Sequence, residues 1–398
     1  MKDLDIQDLL EFNRLARKDG KKYKKKRFLF PDISSFSGKH FVGIAGPRGV
    51  GKTVILKQLA LETPDSFYIS LDTFNGDLFK LVKNLNSKLG IKVFLLDEIH
   101  FNSACDEGLK KIYDFLDVRV VFTSSVSFSL FKSSWDLSRR VIIKKLYPFS
   151  FREFLFFTES ANIKALDFED ILNKGWDKKI LHYSDRFEHY LKGGNMPFSL
   201  HEPEPLTLLE NILNTVIVKD IPSLQKIAVD EIETIKQVVE FTGKSEVDGI
   251  NYSSISDNLK ITKYKAKQYV SLLEKAFILM RVMPAGTNVM KEPKILMALP
   301  YRLLFQNYAS AIGPLREDFF VEAVLSAKKE IKYLKSTRGS KTPDYIIKNK
   351  EGTIIVEVGG KGKGREQFKG IKEKKKLILT HSLDTSGIKR PLLTAGLL

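Results

Sequence analysis

Between Phe41 and Thr53 the chain reads FVGIAGPRGVGKT, a run whose residue types suit the grip of a polyphosphate. The pattern G-x-x-x-x-G-K-[ST] runs from Gly46 to Thr53. Gly46, Gly49 and Gly51 can take positive φ and bring backbone N–H groups near phosphate oxygens without a Cβ clash, with Pro47, Arg48 and Val50 completing the loop. Lys52 is expected to reach the β- and γ-phosphates and the Thr53 hydroxyl to ligate Mg²⁺, at the favourable end of a helix dipole. Downstream, the apolar run Val93, Phe94, Leu95, Leu96 delivers Asp97 and Glu98. Asp97 would order Mg²⁺ through water and Glu98 would polarise the attacking water. After Val118 to Phe122 come Thr123, Ser124 and Ser125, hydroxyls that suit the γ-phosphate or the water. Arg139 and Arg140 follow, and a guanidinium there could stabilise charge in a neighbouring subunit's site. The cofactors read from these residues are ATP and Mg²⁺.

A further constellation lies near the end of the chain. Asp344 heads the run Tyr345, Ile346, Ile347, and Glu357 lies inside Thr353 to Val358, so a hairpin would bring two carboxylates together for a second Mg²⁺ and phosphodiester hydrolysis. The helical stretch GPLREDFFVEAVLSAKK offers a third oxygen ligand, Glu317 or Glu322, and Glu322 completes the expected metal set. None of the 6 histidines pairs with another at a metal-binding helix spacing, although His100 follows Asp97 and Glu98 closely enough to sense nucleotide. Cys105 is the only cysteine, which excludes a disulfide or a cysteine-based zinc site within one chain.

These residues need elements to carry them. Apolar strands and amphipathic helices alternate from residue 41 to about 145, the pattern of an α/β domain with a parallel sheet covered on both faces. Residues 3–18 read as an amphipathic helix and 167–242 as mostly helical, broken at Asp220, Ile221 and Pro222. Ser254 to Leu259 and Lys263 to Ala276 read as two helices across a tight turn, with Phe277 to Met283 as a following strand. Lys263, Tyr264, Lys265 and Lys267 open the second helix, where they could meet phosphates and base edges.

The 398 residues allow two to four domains, and the net charge of +17 favours polyanions such as DNA or RNA. That charge concentrates in Arg17 to Arg27 and in Lys361 to Lys376, runs that also suit a solvated surface. No apolar run reaches the roughly 18 residues of a membrane span, and acids punctuate the start MKDLDIQDLLEF, so no membrane association and a cytoplasmic location are expected.

GPRGVGKT, FLLDEIH, the TSS after the next strand, and RRVIIKKLYPFSFREFL followed by GGNMPF resemble the AAA+ ATPases of prokaryotes, in an archaeal-type group. In that group the ATPase core precedes a winged helix and a C-terminal domain similar to PD-(D/E)xK nucleases. The resemblance implies a P-loop AAA+ core over residues 1–160, a helical lid over 161–230, a winged helix over 231–292 and a small α/β restriction-endonuclease-like domain over 293–398. It also implies that Thr123 or Ser124 acts as sensor 1. Pro343, Asp344 and Glu357 carry the nuclease likeness; the lysine such enzymes keep two residues past the glutamate is Gly359 here, with Lys361 beyond it. Lys361, Lys363, Arg365 and Lys369 would form a phosphate-contacting rim. The expected function is Mg-ATP hydrolysis driving conformational change on or near nucleic acid, in a chain able to oligomerise. The alternatives are a slow nucleotide-dependent switch or scaffold, and an ATP-gated nuclease.

Overall fold

The short apolar runs that begin at Phe41 become strands of one parallel sheet: β1 (Phe41–Ala45), β2 (Ser66–Ser70), β3 (Val93–Asp97), β4 (Arg119–Ser124) and β5 (Val141–Lys145), in the order β2-β3-β4-β1-β5. The computed structural model describes residues 6–398 other than 73, 75, 103, 128–136, 225–226, 287–291, 335–341, 350, 361 and 363. Lys361 and Lys363 of the expected rim therefore lie outside the described residues. Helices α1 (Ile6–Gly20), α2 (Lys52–Glu62), α3 (Leu78–Leu89) and α4 (Cys105–Phe115) accompany the strands. Phe41, Phe67, Phe94, Leu96 and Phe122 fill one core with Leu78, Val82 and Leu109. A Cβ at Gly43 would stand 2.6 Å from both Ile143 Cδ1 and Phe122 Cζ, so the central strand admits its large neighbours only with glycine there.

Because all five strands run the same way, the loop after β1, the acids after β3 and the hydroxyls ending β4 share one sheet edge. Gly51, at φ 89, lies in the left-handed region that lets the loop turn into α2. The first basic run is partly structural. The Arg17 guanidinium donates to the carbonyl oxygens of Ala60, Thr63 and Ser66, and Arg27 donates to Val50 O at 2.5 Å and Tyr147 O at 2.8 Å. Arg27 thus braces the phosphate loop from behind.

The chain forms two compact units, one of Met1–Tyr147, Asn214–Ile227 and Lys275–Phe277, the other of Pro148–Leu213, Ala228–Glu274 and Ile278–Leu398. The division cuts across the four segments expected from sequence. Most of residues 161–230 belongs to the second unit because its apolar side chains, Phe168, Trp176, Phe187 and Tyr190 among them, share a core with Phe319, Leu377, Leu379 and Leu392. Only Asn214–Ile227 joins the first unit.

The second unit holds helices α5 (Phe151–Glu159), α6 (Val229–Lys244), α7 (Tyr252–Leu259), α8 (Lys263–Lys275) and α9 (Tyr308–Ser326). Its strands are β6 (Leu279–Pro284), β7 (Lys294–Met297), β8 (Glu330–Tyr333), β9 (Tyr345–Asn349), β10 (Gly352–Gly359), β11 (Lys375–Thr380) and β12 (Lys389–Pro391). They form one sheet in the order β12-β11-β10-β9-β8-β6-β7. The β6–β7 hairpin that follows the two-helix turn is continuous with the C-terminal strands, since β6 pairs with β8 through Met283 and Lys332. A boundary at 292 would split that hairpin.

A buried ion pair ties α9 to this unit. Arg302 Nε donates to Asp318 Oδ2 at 2.6 Å with both side chains at 0 % exposure. The same guanidinium caps the end of α6 through Thr242 O and Ser245 O at 3.0 and 2.7 Å. Removing one partner of such a pair leaves an uncompensated buried charge. Asp318→Ala should therefore lose about 3 to 5 kcal/mol in denaturant unfolding; a loss below about 1 kcal/mol would contradict this account.

Candidate functional site

The ammonium of Lys52, at 4 % exposure, donates to Gly46 O and Pro47 O, both at 2.9 Å. Burial pushes its pKa down, while the charges of Glu98 and Asp97 pull it up. Thr53, one residue on, is half-buried. Asp97, at the end of β3, accepts from Tyr68 Oη at 2.8 Å on Oδ2 and from the Thr123 hydroxyl on Oδ1. Having given its proton to Asp97, the Thr123 hydroxyl accepts from Glu98 N at 2.9 Å. One hydroxyl therefore fixes the peptide between the two acids. Glu98 sits at φ 49, a left-handed backbone that costs free energy for a residue with a Cβ and is held by its surroundings.

A second network meets the first. Arg48 makes a bidentate contact with Asp220, Nη2 to Oδ1 at 2.8 Å and Nε to Oδ2 at 3.2 Å. Ser125 Oγ donates to Asp220 Oδ2 at 2.8 Å and lies 3.2 Å from His100 Nε2. His100 Nδ1 is 3.3 Å from Glu98 Oε2. Burial opposes ionisation of Asp220, yet His100, Arg48 and Ser125 together hold its carboxyl well below the usual carboxylate range.

The expected ATP-site residues Gly46, Pro47, Arg48, Gly49, Val50, Gly51, Lys52, Thr53, Asp97, Glu98 and Thr123 thus gather at one sheet edge. Arg140, expected to serve a neighbouring subunit's site, precedes β5 at the opposite edge and binds Asp114 through Nε to Oδ1 and Nη2 to Oδ2, both at 3.0 Å. Tyr68, Arg27 and Asp220 were not foreseen in these roles. Of the three only Asp220 carried a signal in sequence, where with Ile221 and Pro222 it read as a break between two helical stretches.

In the second unit Asp344 is raised well above the usual carboxylate range by burial and by the neighbouring charges of Glu317 and Glu357, against the pull of Lys294. Asp344 Oδ2 accepts from Val358 N at 2.8 Å. Lys294 Nζ donates to Glu317 Oε2 at 2.7 Å and to Asp248 Oδ1 at 2.9 Å, and Tyr345 Oη donates to Glu317 Oε2 at 2.6 Å. Glu317, not Glu322, is the helix carboxylate in this cluster. Five residues of α9, about 500° of rotation, separate the two glutamates, so they point roughly 140° apart. Glu322 Oε2 instead accepts from Leu299 N at 2.8 Å. Among the described residues no group of three or more His, Cys, Asp or Glu is placed to hold a metal ion.

Residues 38–155 match the family model described as an AAA domain, and residues 184–298 match a domain of unknown function, DUF8612. An uncharacterized protein of Methanocaldococcus jannaschii is 28% identical over 390 residues, covering 88% of this chain and 82% of that one. An uncharacterized protein of Haemophilus influenzae is 26% identical over 262 residues, covering 59% and 60%. Similar solved structures include the Thermotoga maritima RuvB Holliday junction branch migration motor, at 17% identity, TM-score 0.26 and coverage of 70% of this chain and 90% of that one. The first unit has the α/β P-loop AAA+ fold, and an additional α/β region follows it. No helix among the described residues is long and apolar enough to cross a membrane.

The displaced Glu322 yields a pH test. Burial pushes its carboxyl up to about 8. A neutral carboxyl in the fold stabilises fully below the unfolded value near 4.5, and that contribution is lost as pH rises through about 8. The wild type should therefore lose a few kcal/mol relative to Glu322→Gln between about pH 5 and 8. Parallel melting curves against pH for the two proteins would refute the assignment.

Proposed function

We propose that the chain is a P-loop ATPase that binds Mg-ATP at the first unit's sheet edge and hydrolyses it to drive conformational change. The observation that carries this reading is the convergence of Lys52, Asp97, Glu98 and Thr123 beside one phosphate loop. Lys52 would exchange the carbonyls of Gly46 and Pro47 for phosphate oxygens, since a buried ammonium needs acceptors and a triphosphate offers charged ones. Hydroxyl and carboxylate oxygens suit a hard cation, so Thr53 and Asp97 would hold Mg²⁺. When bound, the ion neutralises phosphate charge and polarises the phosphoryl group. Glu98 would accept a proton from the attacking water, and Thr123 would keep the Asp97–Glu98 peptide in place.

Calorimetry and steady-state hydrolysis test this directly. Lys52→Ala should lose ATP binding, while Glu98→Gln should keep binding and lose turnover by about a hundred-fold or more. Equal rates in wild type and both variants would remove the enzyme reading. Turnover below about one per minute with tight binding, insensitive to DNA, would favour a nucleotide-dependent switch or scaffold over a motor.

An ATP-gated nuclease in the second unit is the second reading, favoured by the cluster of Glu317, Asp344 and Glu357. Lys294 already provides that cluster with a cation, so the side chains as arranged do not fit a metal. The helix pair α7–α8 with its hairpin resembles a winged helix, and Tyr264 at 77% exposure together with the net charge of +17 supports nucleic acid as a partner. Incubation of DNA and RNA with Mg²⁺ or Mn²⁺, with and without ATP, tests the nuclease. Cleavage lost in Asp344→Ala and Glu357→Ala supports it; no cleavage in any nucleotide state retires it.

A further inference from the structure

Neither the phosphate loop nor the Asp97–Glu98 pair requires the Arg48–Asp220 contact, yet it is the best-formed ion pair at the site. We infer that Asp220 is a positioning residue that holds Arg48 until a triphosphate takes the guanidinium, so that loop occupancy is passed to the segment Asn214–Ile227. The inference rests on the ATP-site reading above.

Arg48 lies within electrostatic reach of the hydrolytic machinery: Glu98 attracts it, and its charge opposes that of Lys52. Two cations this close are tolerable in a partly dry site only with anions between or beside them. Without nucleotide, Asp220 supplies one, in the fork-to-carboxylate geometry that arginine favours. Phosphate oxygens present the same bidentate acceptor with more charge, so a triphosphate competes with Asp220 for Arg48.

The other side of Asp220 leads to the general base. The Ser125 hydroxyl has one proton and gives it to Asp220, so it must accept from the Nε2–H of His100. That sets the imidazole with Nδ1 3.3 Å from Glu98 Oε2, so the position of His100 beside Glu98 is fixed through Ser125 and Asp220. Both atoms are buried and have no hydrogen-bond partner among the described residues. His100 Nε2 stands 4.0 Å from Asp220 Oδ1, too far for a direct bond, which makes Ser125 the bridge.

Asp220 has 0 % exposure, so losing a cationic partner is costly there and favours movement of the backbone that carries it. That backbone is the turn Val216–Asp220 and the short helix Ile221–Leu224, within a stretch counted with the first unit while the chain on both sides belongs to the second. A change in Asn214–Ile227 is therefore covalently linked to the second unit in both directions.

The test uses the full chain, ATP calorimetry, turnover, and hydrogen exchange with a non-hydrolysable ATP analogue. Asp220→Asn, which keeps shape and removes charge, should bind ATP about ten-fold tighter because the competing carboxylate is gone. It should also turn over about ten-fold more slowly, because Ser125 and His100 lose the anion that orders them towards Glu98. Ser125→Ala, which spares the ion pair, should slow turnover with affinity unchanged within about two-fold. In wild type the analogue should speed exchange across 214–227, and in Asp220→Asn it should have no such effect. Affinity in Asp220→Asn equal to or weaker than wild type overturns the inference, as does exchange across 214–227 that ignores nucleotide in wild type, an experiment that needs no variant. If wild type takes up no ATP, the ATP-site reading itself fails; if wild type binds and hydrolyses while Asp220→Asn behaves identically, only the latch falls.

Discussion

The first unit is arranged around what a dry ammonium demands. Lys52 is buried beside a second cation, Arg48, and desolvation makes each charge expensive unless it is met by acceptors. The response is graded. Loop carbonyls satisfy the Lys52 protons, Asp97 and Glu98 supply field at longer range, and Asp220 pairs Arg48 directly. Two of these anions are fixed in turn by hydroxyls, Asp97 by Thr123 and Tyr68 and Asp220 by Ser125. Hydroxyls suit this work because they neutralise lone pairs without adding charge. The site is thus held by short neutral donors around a few charges, an arrangement that an arriving polyanion can redistribute without unfolding it.

The second unit solves a related problem differently. Arg302 with Asp318 and Lys294 with Glu317 are cation–anion pairs that join α9 to the hairpin end of the sheet and, through Thr242 O, to α6. Lys294 comes from β7 and reaches carboxylates on α9 and in the loop before α7, so one side chain binds three stretches distant in sequence. The same cation favours the ionised form of Asp344, against burial and the charges of Glu317 and Glu357. Lys294 lies far from Glu317 and Asp248 in sequence, so no local motif could disclose the contact.

Legibility followed the range of the interactions. The phosphate loop, the strand that ends in Asp97 and the α/β alternation are local patterns, and the structure has β1, β3 and the intervening helices close to where periodicity put them. Asp77 and Ser150 even cap their helices as their residue types suggest, accepting from Lys80 N and Glu153 N at 3.0 and 3.1 Å. Unit membership was not local. The aromatic side chains between Phe149 and Tyr190 are equally consistent with any apolar partner, and only long-range packing decides that they share a core with Phe319 and Leu392. Glu317 against Glu322 was decidable in principle from helix phase, but needed the position of Asp344. Asp220 pairs with a residue far upstream, and its partner is invisible to any window of sequence.

Part of the positive charge is engaged within the fold. Arg17, Arg27 and Arg390 direct donors to backbone carbonyls, so their charges contribute to the field while those N–H groups are engaged within the fold. Lys263 and Lys265, at the head of the helix that would face a groove, are paired with Glu292 and Glu231. Exposed pairs of this kind are weak and a polyanion can displace them, but each displacement frees an anion that repels the incoming phosphate. Attraction between such a surface and any polyanion is long-range and is screened by salt. On α8 the exposed side chain that is neither paired with an acid nor charged is Tyr264, whose ring has the stacking capacity that lysines lack.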